Sequence, residues 1–129
     1  MKLTYGKSEK LKSKKSIELL FDEGNSVASF PLRFIYIKET VLDEKSRIGV
    51  SVSKRKVPNA VDRNRIKRLL RESYRLNQEL FSFMENKGFI GMFLFVDKKE
   101  WSLNHLNGKM KKIAAKLQEK IELDKIKEC

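Results

Sequence analysis

The residues best suited to chemistry lie between Lys54 and Arg75. Nine basic side chains fall there: Lys54, Arg55, Lys56, Arg63, Arg65, Lys67, Arg68, Arg71 and Arg75. Only Asp62 and Glu72 oppose them, so the segment carries +7 of the chain's net +12. Arginine outnumbers lysine in this stretch, whereas lysine dominates elsewhere. A guanidinium grips phosphate through two hydrogen bonds and stacks on exposed bases, which an ammonium cannot do. The chemistry suited to these residues is therefore polyanion binding, with RNA backbone as the favoured target. A solvated amphipathic face would mix both signs, and this one hardly does.

Catalytic groups are scarce by comparison. The sole histidine is His105, and the sole cysteine is Cys129. A lone histidine without partners reads as packing or surface. No Cys/His cluster has the spacing of a zinc site. Asp43-Glu44 is a carboxylate pair in a turn with no partner set, and no glycine-rich phosphate loop is present. The sequence offers no active site made of protein alone. With one cysteine, no internal disulfide can form, which suits a reducing compartment. No apolar run is long enough to span a bilayer, and no export core follows the basic start. Cytoplasmic localisation, with no membrane contact, is the expectation.

The elements that position the basic cluster can be read from pattern. Asn59 is a good N-cap, and Asp62 stands where a capping box places its acid. A helix is predicted from Ala60 to about Glu79. On a helical wheel Ile66, Leu69, Leu70, Ser73, Tyr74 and Asn77 form a core stripe. Asn64, Arg65, Lys67, Arg68, Arg71 and Arg75 cover most of the remainder. Arg63 falls near the apolar edge but sits in the first turn, where it is expected to swing outward. There the helix dipole and free N–H groups also attract phosphate.

Upstream, residues 1–12 read as a flexible basic arm, and Ser13 or Ser16 caps a short helix ending at Gly24-Asn25. Phe30–Lys38 is an aromatic and β-branched strand. Its alternation places Leu32, Phe34 and Tyr36 on one face, with Arg33, Ile35 and Ile37 on the other. In Arg47–Ser53, Ile48, Val50 and Val52 oppose the small face Gly49, Ser51 and Ser53. Downstream, Asn86-Lys87-Gly88 is a break, and Phe89–Val96 reads as a strand buried on both faces. Ser102 caps a last helix from Leu103 to about Leu123, with residues 124–129 a frayed tail. Its core positions are Leu106, Met110, Ile113, Leu117 and Ile121. A chain of 129 residues allows one domain, 1–129. The order helix, strands, helix, strand, helix predicts an α+β fold, with one mixed sheet and helices packed on it.

Arg47-Ile-Gly-Val-Ser-Val-Ser-Lys-Arg55, followed by Asn59-Ala-Val-Asp-Arg-Asn-Arg-Ile-Lys-Arg-Leu-Leu-Arg-Glu72, resembles the signature of the bacterial ribonuclease P protein family. The likeness runs more weakly through Leu11–Phe21, Gly24 and the Phe34/Tyr36 strand. Beyond Gly88 it rests on apolar pattern. The resemblance implies a four-stranded mixed sheet with three helices in the order α-β-β-β-α-β-α. It also implies a left-handed βαβ crossover (ribosomal protein S5 domain 2-like), against the general right-handed preference.

The same resemblance implies the protein subunit of ribonuclease P, which binds a catalytic RNA and the 5′ leader of precursor tRNA. The RNA, with Mg²⁺ that it mainly holds itself, removes the leader by endonucleolytic cleavage. Carried onto this chain, the catalytic-RNA set is Lys54, Arg55, Arg63, Asn64, Arg65, Lys67, Arg68 and Arg71. The leader-cleft set is Ile17, Phe21, Phe34, Tyr36, Gly49 and Ser51, although Ile17 stands where the family commonly has an aromatic residue. The free protein is expected to be a monomer.

Rival readings are a non-catalytic RNA-binding module of ribosomal-protein type and a DNA-binding regulator. The second is disfavoured because no short helix and tight turn precede Asn59. A membrane-surface helix is weaker still, since the opposite face is needed for the core.

Overall fold

Strand alternation decides which side of the sheet each residue serves. The computed structural model describes residues 18, 20–22, 24–38, 47–84 and 89–128. A first helix, α1, is described at residues 18 and 20–22. The strands are β1 (Asn25–Ser29), β2 (Leu32–Lys38), β3 (Arg47–Val52) and β4 (Phe89–Phe95), in spatial order β1-β2-β4-β3. The two long helices are α2 (Ala60–Asn77) and α3 (Leu103–Glu128). β1 pairs antiparallel with β2, β2 antiparallel with β4, and β3 parallel with β4. The sheet is mixed and the fold α+β, as expected. The parallel pair joined through α2 is the anticipated strand-helix-strand unit. The basic arm, the cap at Ser13 or Ser16, the Asp43-Glu44-Lys45 turn and the Asn86-Lys87-Gly88 break lie outside the described residues.

One sheet face receives both long helices. Leu32, Phe34 and Tyr36 of β2, Ile48 and Val52 of β3, and Phe89, Phe93 and Phe95 of β4 join Ile66, Leu70 and Tyr74 of α2. Leu106, Met110, Ile113, Ala114 and Leu117 of α3 complete this core. Phe34 and Phe93 are cross-strand partners whose ring centroids lie 4.5 Å apart, and both are fully buried. Burying each such ring stabilises by about 1.5–3 kcal/mol. Gly91, the partner of Tyr36 on this face, makes the packing possible. A Cβ there would collide with the Phe34 ring.

The opposite face is covered differently. Leu20 of α1 packs with Ile90 and Met92 of β4, and with Ile35, Ile37 and Leu94 at the edges. Gly24 lets α1 end this close to the sheet. A Cβ there would strike the Leu20 carbonyl and the Ile35 side chain, while the Gly24 N–H donates to the Leu20 carbonyl at 2.9 Å.

Three boundaries differ from the sequence reading by two residues or more, and β3 and β4 each end one residue early. The strand expected from Phe30 begins at Leu32, because Phe30 and Pro31 form the turn from β1. α2 stops at Asn77 and continues as a 3₁₀ segment, Gln78–Met84. Phe81 and Met84 are its buried residues, and their three-residue spacing aligns on one side at three residues per turn. α3 runs on to Glu128 instead of ending near Leu123.

A polar clasp fixes α2 against α3. The Ser73 hydroxyl and the Asn77 amide both donate to Asn107 Oδ1, at 2.7 and 3.0 Å, and Asn77 also donates to the Ser73 carbonyl. Ser73 and Asn77 are buried, so these bonds replace those lost to water.

Gly91→Ala should destabilise the protein by about 1–3 kcal/mol through overpacking against Phe34. Urea unfolding measures it, and an unchanged midpoint would show that the ring can yield.

Candidate nucleic-acid interface

The turn that aims α2 is built by its own residues. Asn59 caps the helix, its Oδ1 accepting from the Val61 N–H at 2.8 Å. Ile66, Leu70, Ser73, Tyr74 and Asn77 are buried, which agrees with the wheel, while Leu69 is partly buried against the same core. Asn64, Arg65, Arg68 and Arg71 are exposed; Lys67 is half-buried. Lys54, Arg55 and Lys56 are exposed in the turn leading to the helix. Tyr74 touches Phe81 and Phe93 at 5.5 and 5.7 Å, so α2 cannot roll its basic face inward without breaking an aromatic cluster.

The cations fall into two groups. Arg63 does not swing outward as expected. Its Nη1 donates to the carbonyls of Val57 at 3.0 Å and Pro58 at 2.7 Å. Those carbonyls lie just before the helix, so the guanidinium latches the strand-to-helix turn. Arg65 is ion-paired with Asp62 at 2.8 Å and with Glu100 at 3.3 Å. The Asp62 carboxylate therefore pairs with Arg65, and among the described residues it does not close the capping box that the pattern suggested. Arg75 is bonded to Glu72, and this hydrogen bond holds the Glu72 carboxyl below its usual range and raises the arginine. Among the described residues no ion pair or side-chain hydrogen bond involves Lys54, Arg55, Lys67, Arg68 or Arg71. The donors of these five are not taken up by another described side chain or carbonyl.

The leader-cleft set does not come together. Phe34 and Tyr36 are 0% and 3% exposed and lie under the helices. Gly49 and Ser51 oppose Met92 and Leu94 on the other face. Alternation forbids the two pairs from sharing a surface. Tyr36→Ala would thus open a core cavity instead of removing a surface contact. Phe21 is exposed at 54%, next to Leu20, which packs on the Gly49 side of the sheet. Ile17 lies outside the described residues. The residues that do line this face, and that were not singled out, are Ile35, Ile37, Ile90, Met92 and Leu94. The odd positions of β2 carried the signal, but the aromatic side chains drew attention to the even ones.

Among the described residues, no group of three His, Cys, Asp or Glu side chains could hold a metal ion. No helix among them is long and apolar enough to cross a membrane.

Fold and surface define the class: a small α+β protein whose arginine-lined helix is held on a mixed sheet. A family model described as Ribonuclease P matches residues 5–118. The chain belongs to the ribonuclease P family. It is 42% identical over 82 residues to a ribonuclease P protein component of Porphyromonas gingivalis, covering 61% of this chain and 60% of that relative. The chain thus spans about three-fifths of that relative's length. The corresponding protein of Petrotoga mobilis is 36% identical over 101 residues, with 78% of each covered. The RNase P protein from Thermotoga maritima superposes with a TM-score of 0.62 at 25% identity, over 79% of this chain and 91% of that one. The RNase P protein of Staphylococcus aureus shares the fold with a TM-score of 0.66 at 22% identity, over 83% and 93%.

Arg63→Ala should cost about 1.5–3 kcal/mol of stability, the range for hydrogen bonds from a charged donor. Arg68→Ala should stay within about 0.5 kcal/mol of wild type. Thermal unfolding of both variants checks the contrast, and equal losses would remove the latch role from Arg63.

Proposed function

We propose that this chain is the protein subunit of a ribonuclease P ribonucleoprotein, which removes the 5′ leader of precursor tRNA to give the mature 5′ end. The observation that carries this is the set of uncommitted cations on α2 and the turn before it, in a chain of the ribonuclease P family. Lys54, Arg55, Lys67, Arg68 and Arg71 are the primary grip on the catalytic RNA. Asn64 lies among them, and Arg65 joins by exchanging carboxylate for phosphate. Arg63 acts behind them by holding the turn in place.

The leader of precursor tRNA occupies the sheet face beside α1. That surface offers the half-buried Ser51 for close approach and Phe21 for stacking, with Gly49, Ile35, Ile90 and Met92 beneath. Phe34 and Tyr36 support it from the reverse side and touch no RNA. Base stacking on an aromatic ring such as Phe21 is worth about 1–3 kcal/mol.

The protein contributes binding and neutralisation of charge. Bringing two polyanions together is opposed by their repulsion, and a cationic surface between them lowers that cost. Mg²⁺ held by the RNA would supply the hydrolytic chemistry. The protein residues bind and orient, and take no proton. In this reading the free protein is a cytoplasmic monomer.

Binding to ribonuclease P RNA should weaken linearly on a logarithmic salt scale, because each neutralised phosphate releases a counterion. The Arg68→Ala, Arg71→Ala double variant should reduce the magnitude of that slope by about 2. An unchanged slope would place the RNA elsewhere. The decisive experiment is reconstitution with the organism's ribonuclease P RNA at low Mg²⁺. Stimulated leader removal is expected. RNA binding without stimulation would favour the ribosomal-protein-type module.

A further inference from the structure

The only tryptophan and the only histidine of the chain stand together at the start of α3, and the interface described above does not use them. Trp101 packs partly against the core. Its indole N–H donates to Asp97 Oδ2 at 2.7 Å, which fixes the ring plane. The His105 ring stands edge-on to it at 6.1 Å and 89°. Phe30, in the β1–β2 turn, meets Trp101 edge-on at 6.2 Å and 72°. The two loops are tied by the Val96 N–H, which donates to the Pro31 carbonyl at 3.0 Å. Phe30 is 58% exposed although its neighbour Pro31 is buried. An apolar ring is thus held outward against a fixed aromatic wall.

The charge around these rings is equally particular. Lys98 and Lys99 are exposed, and Lys109 places its ammonium 5.9 Å from the Trp101 centroid. Two acids share the loop, and both are engaged. Asp97 accepts from Trp101 and from the Lys98 N–H. Glu100 pairs with Arg65. The Glu100 contact also joins the patch to the first turns of α2, so the two surfaces are continuous.

We propose that Phe30 and Trp101 form a stacking site for an unpaired RNA base, with Lys98, Lys99 and Lys109 beside it for the flanking phosphates. A paired base has its faces covered by its neighbours, so an aromatic ring takes up only a splayed or single-stranded one. An apolar protein segment fits less well, because the Lys109 ammonium over Trp101 and the exposed Lys98 and Lys99 of the same loop would lose hydration without a partner. The site is separate from the sheet face assigned to the leader. It rests on the RNA-binding reading of α2 only for its link to that helix, which the pair of Arg65 with Glu100 beside Trp101 provides.

Trp101 makes the test direct, because intrinsic tryptophan fluorescence reports this one place. The full chain is titrated with a short single-stranded oligoadenylate, and with an abasic oligomer of equal length and charge. Oligoadenylate should quench the emission saturably. The abasic oligomer should bind roughly tenfold more weakly, the scale of one lost base stack, and should leave the emission unchanged. Equal binding of the two oligomers, or binding without quenching, would overturn the site.

Phe30→Leu keeps the apolar volume and should weaken oligoadenylate to the abasic level, while Phe30→Tyr should restore it. Wild-type affinity in Phe30→Leu would also overturn the proposal. None of these results bears on the leader-removal assay. Failure there with quenching intact removes the subunit reading and leaves the stacking site. Failure here with leader removal intact does the reverse.

Discussion

Phe34 seated over Gly91 and against Phe93 is the contact on which the other placements depend. β4 lies between β2 and β3, so the ring at Phe34 sets the depth at which helices can lie on the sheet. Phe81 and Tyr74 close on Phe93 from the helical side. Tyr74 is the link that matters for function, because it belongs to α2. Once its ring is in the cluster, the rotation of α2 is fixed to within a side chain's freedom. The arginines then face outward because the apolar stripe has no other place to go.

That fixed rotation separates three uses of positive charge that composition cannot separate. Arg63 serves the fold, donating to carbonyls in the turn before its own helix. Arg65 and Arg75 are held by carboxylates. Such exposed pairs add little stability, but they can be exchanged for phosphate at small cost. Arg68 and Arg71 have no protein partner among the described residues. The lysines of α3 show the same division. Lys116 and Lys120 donate to the carbonyls of Ala28 and Ser26 on β1, at 2.6 and 3.3 Å. β1 is an edge strand, and occupying its carbonyls blunts an edge that could otherwise pair with another chain. A lysine-rich helix that composition assigns to solvent or RNA is partly a clamp on the sheet.

The two sheet faces divide the labour between stability and access. One is closed by α2 and α3 and carries nearly all the aromatic mass. The other carries aliphatic residues, a buried glycine and a half-buried serine, with Leu20 of α1 packed on it. A face of small and aliphatic side chains permits a polymer backbone to approach, and a face filled with interlocked rings does not. This contrast is why an aromatic residue in β2 is a poor guide to where RNA would lie.

Local pattern alone determined the existence and type of most elements. Period-two alternation marked β2 and β3, the apolar run marked β4, and Asn59 and Ser102 marked helix starts. Helical periodicity also gave the buried stripe of α2, because a helix buries whichever side is apolar. The charge concentration and the Arg63-Asn64-Arg65 motif are properties of the chain and were legible for that reason. β1 was not legible, since Asn-Ser-Val-Ala-Ser has little strand propensity and becomes a strand only by pairing with β2. The role of Phe34 and Tyr36 was not legible either. Alternation says that two residues share a face, but the packing of helices decides which face is covered. Arg63 needed the turn geometry that brings the carbonyls of Val57 and Pro58 within its reach. The meeting of Phe30 with Trp101 joins residues far apart in sequence, and only the pairing of β2 with β4 brings their loops to the same end of the sheet.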